Sequence, residues 1–187
     1  MTTTPVQPMQ SILLVTGPAR SGKSEWAETL ATRSNQSVIY VATAQIDAND
    51  PEWQARINQH QQRRPDHWQT LTVPIALADT ILAASRSECL LIDSLGTWLA
   101  NLLDQNDDTW ESTVAHLLKS LQQTQAQIIF VAEETGWGVV PAYPIGRLFR
   151  DRLGNLTRRI GTIANGVYLV TGGYVLNLCQ LGQRLED

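Results

Sequence analysis

Cysteine is nearly absent from this chain. Only Cys89 and Cys179 occur in 187 residues, with no CxxC pair and no metal-ligand spacing, which argues against a disulfide-stapled scaffold or a zinc framework. Both are expected to be buried thiols in a reducing cytosol. Long hydrophobic runs are missing too. Residues 12–15 and 128–132 have strand length and fall far short of the roughly 20 residues a bilayer span requires. Nor is there an excess of positive charge. Fourteen Lys and Arg against 18 Asp and Glu give a net charge of −4, which argues against a general nucleic-acid surface. The first ten residues lack a basic stretch followed by an apolar one, so they are expected to form a disordered tail rather than a secretory signal. No internal repeat or low-complexity segment interrupts the remainder. The expectation is a cytoplasmic protein with one domain over residues 11–187.

What is present is an alternation of apolar runs with helical periodicity. Residues 11–16, 37–42, 88–93 and 127–132 read as buried strands, and 68–73 as a weaker one. Helices are expected over 22–33, 51–62, 75–84 and 147–164, and in a long stretch after Asp93 that breaks near residues 105–108. Asp50 and Pro51 offer an N-cap and a first-turn proline for the second of these helices. Residues 166–171 and 174–178 flank Gly172 and Gly173, a short connection suited to an antiparallel hairpin. Continuous apolar strands between helices predict an α/β fold, a mainly parallel sheet covered on both faces, with an antiparallel C-terminal edge hairpin. The ligand is then expected at the carboxyl ends of the strands.

The first strand runs into Gly17, Pro18, Ala19, Arg20, Ser21, Gly22, Lys23 and Ser24, which satisfy GxxxxGK[ST] between a strand and a helix. This predicts a P-loop NTPase of the three-layer, RecA-like kind. The glycines let backbone N–H groups face a β-phosphate, Lys23 reaches the β and γ oxygens, and Ser24 ligates Mg²⁺. A second metal group is expected at the end of a neighbouring hydrophobic strand, where Asp93 stands; an aspartate capping the next helix is the alternative. Glu133 and Glu134, just past the following strand, are further candidates for metal or proton handling, or a solvated loop pair.

A phosphate loop does not name a reaction. No NKxD-like guanine motif and no arginine-rich lid are visible. Arg56 and His60 stand four apart on an expected helix, so a cation lies beside an imidazole, and neutral imidazole can attack phosphorus. Arg63 and Arg64 are near enough to neutralise phosphate charge. The same spacing is equally met if Trp53, Ile57 and His60 simply pack. His67 and His116 read as surface residues.

The segments GPARSGKS, ATAQ, RINQHQQRRPDHW, LLIDSLGTWLANLL and EETGWGVVP with GRLFRDRLGNL, in this order, resemble the bifunctional adenosylcobinamide kinase/adenosylcobinamide-phosphate guanylyltransferase family over about residues 11–178. The resemblance implies phosphorylation of adenosylcobinamide by ATP or GTP. Transfer of GMP from GTP to that phosphate then passes through a GMP-histidine intermediate at the residue matching His60. It also implies nucleotide contacts from the loop, from Ala42, Thr43 and Ala44, from Gln61, Gln62, Arg63 and Arg64, and from Asp93, together with a homotrimer. Such a large acceptor needs an open apolar rim, for which Trp137, Val139 and Val140 are the candidates, with Trp137 equally readable as a core residue. Three positions depart from the family pattern. Thr72 stands where glutamate is frequent, and Glu133 and Thr157 where asparagine is usual. Two alternatives remain open: a kinase of another small alcohol with a structural His60, and a nucleotide-dependent regulatory switch.

Overall fold

A computed structural model describes residues 11–45 and 64–185. Seven strands form one sheet: β1 Ile12–Gly17, β2 Ser37–Ala42, β3 Gln69–Thr72, β4 Glu88–Asp93, β5 Gln127–Glu133, β6 Gly166–Thr171 and β7 Tyr174–Asn177. Their order is β3-β2-β4-β5-β1-β6-β7. Every pairing is parallel except β6 with β7. The described helices are α1 Lys23–Thr32, α2 Leu77–Ala83, α3 Leu95–Ala100, α4 Asp107–Gln123, α5 Pro144–Ile163 and α6 Leu178–Leu181.

The alternation within each strand sorts side chains between two cores. Leu14, Ile92, Ile128 and Phe130 face one way, where Leu77 and Ile81 of α2, Trp98 of α3, Leu117 and Leu121 of α4, and Leu153, Leu156 and Ile160 of α5 cover them. Val15, Tyr40, Leu91, Ile129 and Val131 face the other way, under Ala27 and Ala31 of α1. These are the three layers expected of a parallel sheet whose central strands are apolar on both sides.

Element boundaries differ from expectation in three places. Helix α5 begins at Pro144, a turn earlier than residue 147, because proline is well placed in a first helical turn. The break in the long helical stretch falls after Ala100, where Asn106 caps α4 through a hydrogen bond from the Thr109 amide. A short helix, α6, follows the hairpin, and it leaves Cys179 exposed rather than buried, while Cys89 is buried within β4 as expected. The expected helix over 51–62 lies outside the described residues. At the hairpin, Gly172 and Gly173 have φ of 58° and 81°, the paired left-handed geometry that closes a two-residue turn.

Candidate functional site: a phosphate loop and two faces of one sheet edge

At the carboxyl end of β1 the chain turns back into α1 through the five residues 18–22. Gly22 sits at φ 92° and caps α1 with no side-chain hydrogen bond. The first-turn amides of α1 have no carbonyl partner within the helix, so they face the turn, where the helix dipole also favours an anion. Gly17 is required by proximity. A Cβ there would lie 2.3 Å from the Val170 carbonyl oxygen of β6 and 2.8 Å from Ser21 Oγ. Arg20 holds φ 59° within the turn, a conformation that favours glycine over any residue with a Cβ. Lys23 is buried, and its Nζ donates to the Pro18 carbonyl at 3.3 Å, which holds the ammonium over the loop. Ser24 follows in the first turn.

Asp93 ends β4 in register with Ala42 of β2 and Val131 of β5. The sequence reading put the metal carboxylate on a strand neighbouring β1, but β5 lies between β1 and β4. The strands that flank β1 directly are β5 and β6. Asp93 lies on the α1 face, where Tyr40 Oη donates to Asp93 Oδ2 at 2.9 Å. Burial first, and the Asp93 charge second, push the Tyr40 phenol well above its ordinary pKa, so it stays a neutral donor. The Arg64 guanidinium lies 3.3 Å above the Tyr40 ring centroid, and Arg64 Nη1 donates to Thr70 Oγ1 at 3.3 Å. Arg64, Tyr40 and Asp93 thus form a continuous line along the carboxyl ends of β2 and β4.

Behind this edge is a brace. Thr43 is fully buried; its hydroxyl donates to the Ser94 carbonyl at 2.7 Å and accepts from the Ser94 amide at 2.9 Å. Asn101 Nδ2 donates to the carbonyls of Thr43 and Pro74. With its hydroxyl engaged in this way, Thr43 positions the strand ends, and Ala42 and Ala44 flank it. Glu133 belongs to the same brace, accepting from Ser94 Oγ and from the Gly96 amide at 3.0 Å. Glu134 is different: its amide donates to the Gly17 carbonyl at 2.9 Å, and its carboxylate accepts from Thr16 Oγ1 at 2.7 Å and from Trp137 Nε1 at 3.1 Å. It therefore stands beside the phosphate loop on the α5 face.

On that face a cavity of about 610 Å³ opens between β1, α5 and the C-terminal segment 178–185; Thr16, Glu134, Leu153, Thr157, Arg158 and Leu185 are among its walls. The C-terminal wall was not foreseen, because the mixed 178–185 segment carries no motif; the structure leaves its Leu178, Leu181 and Leu185 exposed. Trp137, Val139 and Val140 are exposed, as expected of a rim. His67 is exposed, and His116 lies 3.6 Å from Asp79 on the surface. His60, with Arg56, Gln61, Gln62 and Arg63, lies outside the described residues.

The donors present fit a magnesium ion. Ser24 and Asp93 supply hard oxygens, and no group of three or more His, Cys, Asp and Glu converges among the described residues. A cation held by one or two protein oxygens and completed by phosphate and water is the usual magnesium arrangement at a nucleotide. No described helix is long and apolar enough to cross a membrane.

Comparison with known proteins supports the fold and identifies the family. Two solved structures share the fold at TM-score 0.55: a prototypical ATPase from the type III secretion system of pathogenic bacteria (14% identity, 92% of this chain and 53% of that one) and a protein of Pyrococcus horikoshii OT3 (6% identity, 95% and 88%). This chain thus spans about half the length of the secretion ATPase. Among curated proteins, the bifunctional adenosylcobalamin biosynthesis protein CobP of Pseudomonas aeruginosa is 42% identical over 88% of this chain and 95% of its own length. The CobU proteins of Escherichia coli and Salmonella typhimurium are 37% and 35% identical, each over 87% of this chain and 96% of their own. Residues 13–178 match the family model for cobinamide kinase/cobinamide phosphate guanyltransferase, and the chain belongs to that P-loop transferase family.

Proposed function

We infer that this chain phosphorylates the hydroxyl of adenosylcobinamide, using ATP or GTP, and then transfers GMP from GTP to the resulting phosphate to give adenosylcobinamide-GDP. The observation that carries the reading is the phosphate loop with Lys23 over it, on the same sheet edge as Asp93, in a chain matching the family model across nearly its whole length. Backbone amides of residues 17–24 hold the β- and γ-phosphates, and Lys23 neutralises charge on them. Ser24 and Asp93 would hold Mg²⁺, which when bound supplies charge neutralisation at the phosphates. Ala42, Ala44 and Arg64 lie along the edge that the nucleotide crosses.

For the second reaction, the reading assigns His60 as nucleophile, with family resemblance as its warrant. An imidazole nitrogen attacks the α-phosphorus of GTP, a P–N bond forms, the bond to the β-phosphate oxygen breaks, and pyrophosphate leaves against the loop. A phosphate oxygen of the acceptor then attacks the same phosphorus and the P–N bond breaks, returning the histidine. Gln61, Gln62 and Arg63 belong to the same nucleotide-contacting segment. A cytoplasmic homotrimer completes the reading, and sedimentation at micromolar concentration tests the trimer. Incubation with α-labelled GTP should leave acid-labile, base-stable label on the protein, absent in His60→Ala. An unlabelled wild-type protein would remove the guanylyltransferase half of the reading and leave a kinase.

A further inference from the structure

We propose that the cavity between β1, α5 and the C-terminal segment receives the hydroxyl-bearing arm of the acceptor, with Glu134 as the base that takes its proton. The proposal rests on the kinase reading above and assigns that reaction's second substrate to a place. Three observations carry it.

First, the cavity adjoins the phosphate loop. Its inner wall includes Thr16, the residue before Gly17, and Glu134, whose amide is hydrogen-bonded to the Gly17 carbonyl. A group at that end lies beside the loop, yet on the opposite face of the sheet from α1 and Asp93, so nucleotide and acceptor need not compete for space.

Second, the lining suits an amphiphilic arm that becomes anionic. Leu14, Leu153 and Val167 make apolar walls, and Arg150 and Arg158 of α5 bring positive charge. Thr157 also lines the cavity, and its Oγ1 is buried with no hydrogen-bond partner among the described atoms. At about 610 Å³ the cavity has the size of a small-molecule site and admits an arm rather than a whole macrocycle. The macrocycle is then left outside, against the exposed Trp137, Val139 and Val140, in the loop that continues from Thr135 of the cavity wall.

Third, the two adjacent carboxylates are held in different places. Both oxygens of Glu133 are engaged by Ser94 and Gly96 within the brace at the start of α3. Glu134 likewise has one donor on each oxygen, but these are Thr16, which precedes the phosphate loop, and Trp137, so its remaining lone pairs stand beside the loop rather than in the brace. In the transfer, the acceptor oxygen bonds to the γ-phosphorus, the bond from that phosphorus to the β-phosphate oxygen breaks, the nucleoside diphosphate leaves with the electron pair, and the hydroxyl proton passes to Glu134.

Gly154 of α5 lines the cavity, and a Cβ there meets nothing within 4 Å, so a side chain can start there without a clash and Gly154→Phe is the variant that adds bulk. Steady-state kinase assays with adenosylcobinamide should show its KM raised tenfold or more relative to the KM for nucleotide. Glu134→Gln should lower kcat by about 10²-fold with acceptor KM within threefold, a split that loss of folding would not produce. Arg158→Ala should raise KM for the phosphorylated acceptor in the guanylyl transfer more than for the alcohol. Wild-type activity with a Gly154→Phe KM and a Glu134→Gln kcat both unchanged would overturn the cavity assignment alone. A wild-type protein inert toward cobinamide would overturn the kinase reading along with it.

Discussion

The two faces of the sheet meet their ligands by different means. Under α1, the phosphate site is made of backbone: a turn with left-handed residues at Arg20 and Gly22, a glycine pressed against the Val170 carbonyl, and helix amides without caps. Under α5, the cavity is made of side chains, from Thr16 and Glu134 at its inner end to Leu185 at its mouth. A backbone site tolerates few sequences because its geometry excludes Cβ atoms, whereas a side-chain site can be retuned residue by residue. Two of the three positions that the sequence reading set apart from the family pattern fall on the side-chain side. Glu133 and Thr157 both line the cavity, Thr72 lies at the exposed end of edge strand β3, and the phosphate loop keeps its pattern intact.

The largest expected effect breaks the backbone side. Lys23→Ala removes the ammonium held over the loop and should lower kcat/KM for both reactions by about 10³-fold, the scale of losing a charge-stabilising group at a phosphoryl centre, as measured with ATP and GTP in parallel. Retention of guanylyl transfer in this variant would separate the two reactions' nucleotide sites. A paired glycine substitution sharpens the contrast between the faces. Gly17→Ala places a methyl 2.3 Å from a β6 carbonyl oxygen and should cost about 1–3 kcal/mol in urea denaturation, with weaker nucleotide binding. Gly154→Ala makes the same chemical change in open space on α5 and should stabilise by roughly 0.5–1 kcal/mol. Equal effects at the two positions would erase the distinction.

Smaller effects concern the strand ends. Tyr40→Phe deletes the donor to Asp93 and should destabilise by about 1 kcal/mol, visible as a lower midpoint in the same denaturation. The smallest test is chemical. Burial pushes the Cys89 thiol up to about 12, so it should resist iodoacetamide at pH 8, where the exposed Cys179 reacts. Mass spectrometry should find one alkylated thiol in the native protein and two in urea; native labelling of Cys89 would contradict the packing of β4 under α1.

Much of this was legible because its signals are local. Strands β1, β2, β4 and β5 are short apolar runs bounded by turn residues, and the loop's residue types are dictated by its own geometry, so both could be read without knowing the neighbours. Glu133 and Glu134 were legible as candidates but not distinguishable. Which one joins the Ser94–Gly96 brace and which faces Thr16 depends on strand register and on where α3 begins. The exposed Cys179 was misread for a similar reason: an apolar C-terminal sequence resembles a core strand until the sheet ends before it.

The alternation of strand and helix and the phosphate loop were determined by the sequence alone, since each follows from steric and hydrogen-bonding rules acting within a few residues. Tertiary structure decided that β5 separates β1 from β4, that Asp93 and Glu134 lie on opposite faces of one edge, and that the last residues wall a cavity beside the loop. Those outcomes depend on contacts between residues up to 153 positions apart, such as the Ile12 amide with Asn165 Oδ1, which no local pattern encodes.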